Sequence, residues 1–586
     1  MGLRSVRLLK PACFLFSLFL FDLQAARADD VSREQAQTFA KQNAEATERS
    51  YFTLQGLLEA ADPVTLLVPD HFHDNPPPNW EKKNKSRVSP FHSMADCYGY
   101  MVICSYMLDP ELYKTRMLEM LRNEMRYTNV QATIPAMYSI KKRVVGPPSF
   151  FGAAEYAKDG LISISELVGD SPWFWRMQQM IADVMERAPI KTKYGMLPSD
   201  DAELNGDILQ VLPRLYWWTG DVRFRDWARQ IADAYFFEVL PGSNWLPVEK
   251  WNFQKGKGNK RAHLRDHGNE AFVGLVLVYV MEDLLNSDRK LKYQDAVRKM
   301  LDRLLASTTA DGFYYDIINV ETLEPIGSGL VDNWGYLYGA VYNFYLATGE
   351  QKYRDAVLKV LSNLPKYKDY PWEGNHYDGY ADSIESAIYL VNREPTPPIF
   401  DWIDSEMHHI WDQQQADGNT DQSYLQGNFI RTSLLYAWLK SKGLFVTNWR
   451  PGIGVGAVVE GSNLVVHIRD QKQVSKIRTG PRRFTLKKPQ KPKSVPWQGE
   501  LKFDGPRHFE LFNLPKNFVR LNEFPEWFTV THASLWELAR PDGKDSRIVS
   551  GAELRTGVPV TAGDWVLKPW VSEIQVSADT PPDTRK

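Results

Sequence analysis

Cysteine is scarce in this chain, with three among 586 residues. That excludes a disulfide-stapled scaffold and any zinc or iron–sulfur site built from several cysteines. Cys97 and Cys104 fall two turns apart on one helix, about 10 Å along its axis. That is too far for a bridge, so they read as small buried hydrophobes. Net charge is scarce too: 70 Lys+Arg stand against 72 Asp+Glu, leaving −2, which argues against a nucleic-acid partner. Long apolar runs are missing. The run from Ala12 to Phe21 is shorter than the ~20 residues a bilayer helix needs. Gly-x-Ser-x-Gly, His-Glu-x-x-His and a phosphate-binding loop are all absent, which removes the chemistries those motifs carry.

What is present is ordinary globular composition, 43% hydrophobic and 24% charged, enough to build a large core. Arg4, Arg7 and Lys10 precede the short apolar run, and Ala26-Arg27-Ala28 follows it. Together they read as a secretory signal peptide over residues 1–28, so the mature chain is expected to be secreted or periplasmic and to have no membrane span. Gly452-Ile453-Gly454-Val455-Gly456 lacks the strand–helix setting of a dinucleotide site. His71-Phe72-His73-Asp74 precedes Pro76, Pro77 and Pro78 and reads as a surface loop. His408 and His409 are adjacent on a helix and are expected to point to different faces. No metal site and no cofactor is predicted.

A phrase recurs between residues 93 and 442: an apolar helix, a tight turn, then an aromatic residue and Ala opening a second helix. It reads Thr219-Gly220-Asp221 with Phe224 and Ala228, and again Thr348-Gly349-Glu350 with Tyr353 and Ala356. Degenerate copies lie at Asn286-Ser287-Asp288 and Val168-Gly169-Asp170. Glycine ends the first helix in the left-handed conformation, and the acid favours the next helix start. The first helix of each pair is apolar all round, as in Ala271 to Val280, and so is buried on every side; the second is amphipathic. Buried helices alternating with half-exposed ones predict a mainly α, (α/α)6-7 toroid over 93–445. Residues 29–92 supply an N-terminal helix and a Pro-rich loop. Residues 446–586 change to period-two runs split by Gly, Pro and Asn, which predict a C-terminal all-β, sandwich-like domain. The basic stretch from Lys472 to Lys493 reads as a solvated loop or hairpin.

The inner helices open on acids or amides: Asp96, Glu155, Asp207, Asn269 with Glu270, Asp332 with Asn333, Asp378 with Asp382. Parallel inner helices would bring these starts to one mouth. Capping and the helix dipole explain any single one. Six at one rim predict a polar site over an apolar floor. Carboxyl pairs are what glycosidic hydrolysis needs. Loops feeding that rim carry Trp251, Arg265 and His267, and farther on Trp372, His376 and Tyr377. Indoles stack on sugar rings and basic groups hold carboxylates or sulfates, so an anionic oligo- or polysaccharide is the expected partner.

With its repeats, export signal and trailing β-region, the chain resembles the six-hairpin glycosidase and toroid polysaccharide lyase superfamily. Asp332-Asn333-Trp334-Gly335-Tyr336-Leu337-Tyr338-Gly339-Ala340 is similar to the Gln-Ala-Trp-x-x-Tyr-Gly helix of unsaturated uronyl hydrolases. Asp207 with Pro213 and Thr219-Gly220-Asp221 echoes the catalytic-Asp helix of that family. Three readings follow from the residues and the resemblance. A glycoside hydrolase would use Asp207 as general acid with Glu270 or Asp332 as partner. A uronate lyase would use His267 or Tyr377 as base, with Asn269, His376 or Arg265 neutralising the substrate. The third reading is a non-catalytic glycan-binding toroid. Substrate contacts are expected from Trp251, Arg265, Asn269, Trp334, Trp372, His376, Tyr377 and Asp378.

Overall fold

The computed structural model describes residues 12–71, 86–266, 268–420, 423–471 and 496–570, with side chains from Asp30 onward. His267, Phe72 to Asp74 and the basic stretch from Lys472 to Lys493 lie outside the described residues. The chain is mainly helical. In chain order the long helices are α1 (Ala12–Ala60), α2 (Gly99–Leu108, continuing the π-helical Pro90–Tyr98), α3 (Leu118–Thr128) and α4 (Phe150–Glu155, running through the π-helical Tyr156–Leu161 into Ile162–Val168). Then come α5 (Pro172–Glu186), α6 (Ala202–Thr219), α7 (Val222–Ala234), α8 (Asn269–Leu284) and α9 (Lys290–Leu305). The last are α10 (Trp334–Thr348), α11 (Gln351–Asn363), α12 (Tyr377–Arg393), α13 (Pro397–Trp411) and α14 (Gln426–Ser441).

Even-numbered helices are buried along most of their length, as their apolar composition requires. Each touches the next even helix, and α14 touches α2, which closes an inner ring. From α5 to α13 every odd helix packs on the even helix before it, and α1 covers α14. The expected turn chemistry is in place. Gly220 and Gly349 end α6 and α10 at φ 70° and 75°, a backbone shape that costs glycine nothing. Asp221 then caps α7 by accepting from Arg223 N at 2.9 Å. Within the ring, α6 and α8 approach most closely at Gly206, where an added Cβ would stand 2.3 Å from Ala271 N. That contact holds Asp207 and Glu270 side by side.

The C-terminal strands are β1 (Phe445–Val446), β2 (Ile453–Glu460), β3 (Asn463–Asp470), β4 (Gln498–Lys502), β5 (Leu535–Ala539), β6 (Arg547–Ser550), β7 (Val558–Thr561) and β8 (Gly563–Pro569). They form an antiparallel sheet in the order β2-β3-β8-β5-β6 and a smaller one in the order β1-β4-β7. Val446, Leu501 and Val560 of the small sheet share one apolar cluster with Val455, Val466 and Trp565 of the large one. The glycine run of β2 serves packing against α1: a Cβ at Gly454 or Gly456 would lie 2.1 or 2.0 Å from the carbonyl of Ala40 or Ala36.

One segment departs from the expected trailing β-domain. Residues 511–526, between β4 and β5, enter the helical ring at the C-terminal ends of the inner helices. Val519, Leu521 and Phe524 join the core of the ring. Asn343 and Val519 exchange two hydrogen bonds, at 2.8 and 2.7 Å. Arg214 donates to Leu521 O at 3.0 Å, Asn392 to Glu526 O at 3.0 Å and Trp438 to Pro525 O at 2.8 Å. Arg520, fully buried, pairs with Glu166 at 3.2 Å, Glu523 at 2.9 Å and Glu526 at 3.4 Å. The sequence of this segment has neither helical nor strand periodicity, so its destination was not readable from pattern.

Candidate active site

The opposite mouth of the ring holds a cavity of about 690 Å³. Its wall is made from the N-terminal turns of the inner helices and the loops that lead into them. Asp96 comes from α2, Glu155, Lys158 and Asp159 from α4, Glu203 from α6 and Glu270 from α8. Asp378 and Asp382 come from α12, and Asn428 and Arg431 from α14. Asp266 and Glu373 belong to the loops. Two of the π-helical turns contribute here, one carrying Asp96 and the other Lys158 and Asp159. A wide turn of this kind re-aims side chains that a regular helix would bury in the contact with its neighbours.

Lys158 is the hub. Its ammonium lies 3.3 Å from Asp159, 3.4 Å from Asp207, 3.4 Å from Glu270 and 3.9 Å from Glu155. Burial works against its charge, but four carboxylates outweigh it and hold the amine protonated, well above the usual lysine range. Glu270 is 3% exposed, and its Oε2 accepts no hydrogen bond from any described residue. Burial pushes its carboxyl up to about 7, with Lys158 pulling the other way and the charges of Glu203 and Asp266 adding to the rise. Asp266 is nearly half exposed; its carboxylate accepts from Asn333 Nδ2 at 2.5 Å and faces Arg265 Nε at 3.4 Å. One carboxyl is buried and raised, while another close by in sequence is solvated and hydrogen-bonded. Such a contrast separates an acid from a base.

Farther round the rim, Asp378 accepts from Asn428 Nδ2 at 2.8 Å, and Asp382 pairs with Arg431, which also meets Glu385 at 2.7 Å. Burial and neighbouring carboxylates raise Asp96, Glu155, Asp378 and Asp382 well above the ordinary range. Glu373, Gly374 and Asn375 are three successive left-handed residues, at φ 46°, 66° and 72°. This strained turn presents Glu373 to Arg265 at 2.5 Å and leads into His376, whose ring caps α12.

The remaining wall is aromatic: Phe91, His92, Phe151 and Tyr424, with His71 beside them. His92 stacks on Tyr424 with ring centroids 4.1 Å apart and 20° between the planes. Burial lowers its imidazole to about 4, so it is neutral near pH 7. His71 is buried, against the surface loop expected of it.

Of the residues expected at the rim, Asp96, Glu155, Glu270, His376, Asp378 and Asp382 line the cavity. Asp207 does not: it is fully buried behind Lys158, because the close approach of α6 and α8 turns it into the wall. Burial and the charge of Glu270 raise its carboxyl well above the ordinary range. Asp332 is 2% exposed and faces Arg265 Nε at 3.6 Å. Arg265 sits at the rim but is held by Asp266, Asp332 and Glu373. Asn269 and Tyr377 are buried in the helix starts. The three tryptophans are core residues, not platforms. Trp251 donates to Glu238 at 3.2 Å, Trp334 to Ser383 at 3.1 Å, and Trp372 is fully enclosed. Lys250 and Lys260, in the loop before α8, are 62% and 66% exposed and pair with Asp201 and Glu321. His408 and His409 both reach Asp369, at 3.9 and 2.9 Å, instead of diverging.

Sequence reasoning missed Asp266, Lys158, Asp159, Glu203 and Arg431, and the aromatic wall. Lys158-Asp159 did carry a signal, since a charged pair in the middle of a buried helix must be satisfied by something. Two groups of acid and histidine bring possible ligand atoms within 4.8 Å of one another: Asp369, His408 and His409 outside, and Glu373, His376 and Asp378 at the rim. In the second, the Arg265 guanidinium on Glu373 already supplies positive charge.

No family model and no curated protein matches this chain. Among solved structures it is similar to a sugar epimerase from a ruminal bacterium, 11% identical, covering 54% of this chain and 85% of that one with a TM-score of 0.38. A D-mannose isomerase is 14% identical over 56% of this chain and 86% of that one, with a TM-score of 0.40. The family 76 mannosidase Bt3792 of Bacteroides thetaiotaomicron is 12% identical over 67% of this chain and 98% of that one, with a TM-score of 0.39. The function of the cavity is therefore read from its own residues.

Proposed function

We propose that this chain is an exported carbohydrate-active enzyme that hydrolyses glycosidic bonds in the acid-lined cavity. The observation that carries the reading is Glu270, a cavity-wall carboxyl raised to about 7 with one oxygen unengaged. A carboxyl poised near neutrality can give its proton to a leaving glycosidic oxygen. Asp266, solvated and hydrogen-bonded to Asn333, is the partner assigned to take a proton from water or meet the sugar carbon. Asp207 supports the acid from behind, through Lys158. The cavity volume fits a small number of sugar rings, and Tyr424 with Phe91 offers them an apolar face.

An anionic glycan fits this wall poorly. Lys158 and Arg431 are the lining cations among the described residues, and each is already surrounded by carboxylates. Elimination from a uronate needs a free positive charge or amide to neutralise the substrate carboxylate, and Arg265 is already engaged by three acids. Hydrolysis therefore stands ahead of elimination. The test is a screen of neutral, amine-bearing and uronic glycans, read both by new reducing ends and by ultraviolet absorbance. Reducing ends without absorbance support the reading; absorbance, or no product from any glycan, removes it.

A further inference from the structure

The proposal here rests on the hydrolase reading and concerns which sugars the cavity takes. Nine carboxyl groups line it against two cations: Asp96, Glu155, Asp159, Glu203, Asp266, Glu270, Glu373, Asp378 and Asp382 against Lys158 and Arg431. Local pairing does not remove the surplus, and although burial raises Asp96, Glu155, Glu270, Asp378 and Asp382, a cation brought among them favours their charged forms. Lys158 is shared among four carboxylates, Asp207 among them, and Arg431 between Asp382 and Glu385. Arg265, just outside the wall, is shared among three more.

Two buried polar groups point to a missing donor. Glu270, 3% exposed, leaves Oε2 without a hydrogen bond, and Asn428, 6% exposed, leaves Oδ1 without one among the described residues. Both residues line the cavity. Asn428 Oδ1, and Glu270 Oε2 in its ionised form, can accept from a ligand rich in N–H donors. The acids are spread over α2, α4, α6, α8, α12 and two loops, around a space of about 690 Å³. A single metal ion needs its donors within about 2.5 Å of one point; Glu373, His376 and Asp378 come together at one edge of the rim, but the other acids lie around the rest of the cavity and are not served by one ion. An organic cation distributed along a chain of rings does match that spread. The aromatic wall of Phe91, Phe151 and Tyr424 adds faces that attract an ammonium.

We infer that the cavity selects a glycan bearing protonated amines, an oligosaccharide of amino sugars with free amino groups, over the same glycan in neutral N-acetylated form. A field of one sign over a cleft of this kind discriminates charge at close range and weakens with salt.

The experiment measures calorimetric binding at low and high salt. It uses the full wild-type chain and repeats each titration in Glu270→Gln, where turnover does not interfere. The probes are oligomers of glucosamine in two linkages and of galactosamine, each beside its N-acetylated twin, with oligogalacturonate and calcium, magnesium and manganese chlorides as comparators. For at least one backbone the free-amine form should bind roughly tenfold or more tighter than its twin, with a preference that shrinks in high salt. Asp266→Asn and Glu373→Gln, added singly, should each reduce that preference while circular dichroism and melting stay unchanged. Equal binding of twins, tighter binding of the acetylated or uronic forms, or binding of a divalent ion in place of any amine overturns the inference. Binding of acetylated forms without charge preference leaves the hydrolase reading standing. Absence of binding by every glycan removes both.

Discussion

Asn522 donates from Nδ2 to Asp159 Oδ1 across 2.9 Å and to the carbonyl of Lys158 across 3.1 Å. The first residue belongs to the segment that enters the ring from one end; the second lines the cavity at the other. The C-terminal region therefore reaches the floor of the proposed site. Asn522→Ala should cost about 1–3 kcal/mol, since it leaves a buried carboxyl and a buried carbonyl short of a donor. Guanidinium unfolding of both proteins checks this. A loss near zero would mean that the segment merely rests against the ring.

Lys158→Met should be far more damaging near neutral pH. It leaves Glu155, Asp159, Asp207 and Glu270 around a site with no cation, and breaking a buried pair in this way costs about 3–5 kcal/mol. The deficit should shrink as pH falls. Burial already raises Glu155, Asp207 and Glu270, and losing Lys158 raises them further, so protonation then relieves the repulsion. Stability measured from pH 5 to pH 8 gives the sign.

Gly456→Ala should destabilise the contact between α1 and β2 by about 1–3 kcal/mol, the usual cost of overpacking. The added Cβ would stand 2.0 Å from the carbonyl of Ala36, so backbone has to move. Thermal melting reads this directly, and an unchanged melting point would refute the packing.

Tyr424→Ala and Trp251→Ala should separate binding from folding. Tyr424 lines the cavity and Trp251 is 2% exposed in the core. The first should weaken glycan binding by about 0.5–1.5 kcal/mol with little loss of stability; the second should lower the melting point by several degrees, after a core loss of about 3–5 kcal/mol. The reverse pattern would return the tryptophan to the role the sequence suggested.

Much of this architecture was legible. Ala271 to Val280 can only be a helix buried on all sides, and Thr219-Gly220-Asp221 ends one helix and caps the next by local chemistry alone. The acids at helix starts were legible for the same reason, and Glu270 and Asp378 do line the cavity. What pattern does not encode is rotation about the helix axis. Asp207 and Glu270 look alike in sequence, yet the contact at Gly206 turns one into the wall and leaves the other on the surface of the cavity. Tryptophans in polar loops suggested sugar platforms, but Trp251, Trp334 and Trp372 found enough apolar neighbours to be enclosed. The aromatic wall escaped because His92 and Tyr424 meet only through ring closure between α2 and α14. Residues 511–526 escaped because an irregular segment is placed by its partners, and Arg520 finds its own in Glu166, far away along the chain.

The central claim is that Glu270 is the proton donor, and the pH dependence of turnover in wild type and Glu270→Gln tests it most directly. On any glycan found to be cleaved, wild-type kcat/KM should fall as pH rises through about 7, because the raised carboxyl of the free enzyme loses its proton there. Glu270→Gln should keep binding, lose about 10²–10⁴-fold in kcat, and show no such fall in whatever activity remains. Wild-type turnover in Glu270→Gln, or an unchanged alkaline limb, would contradict the account.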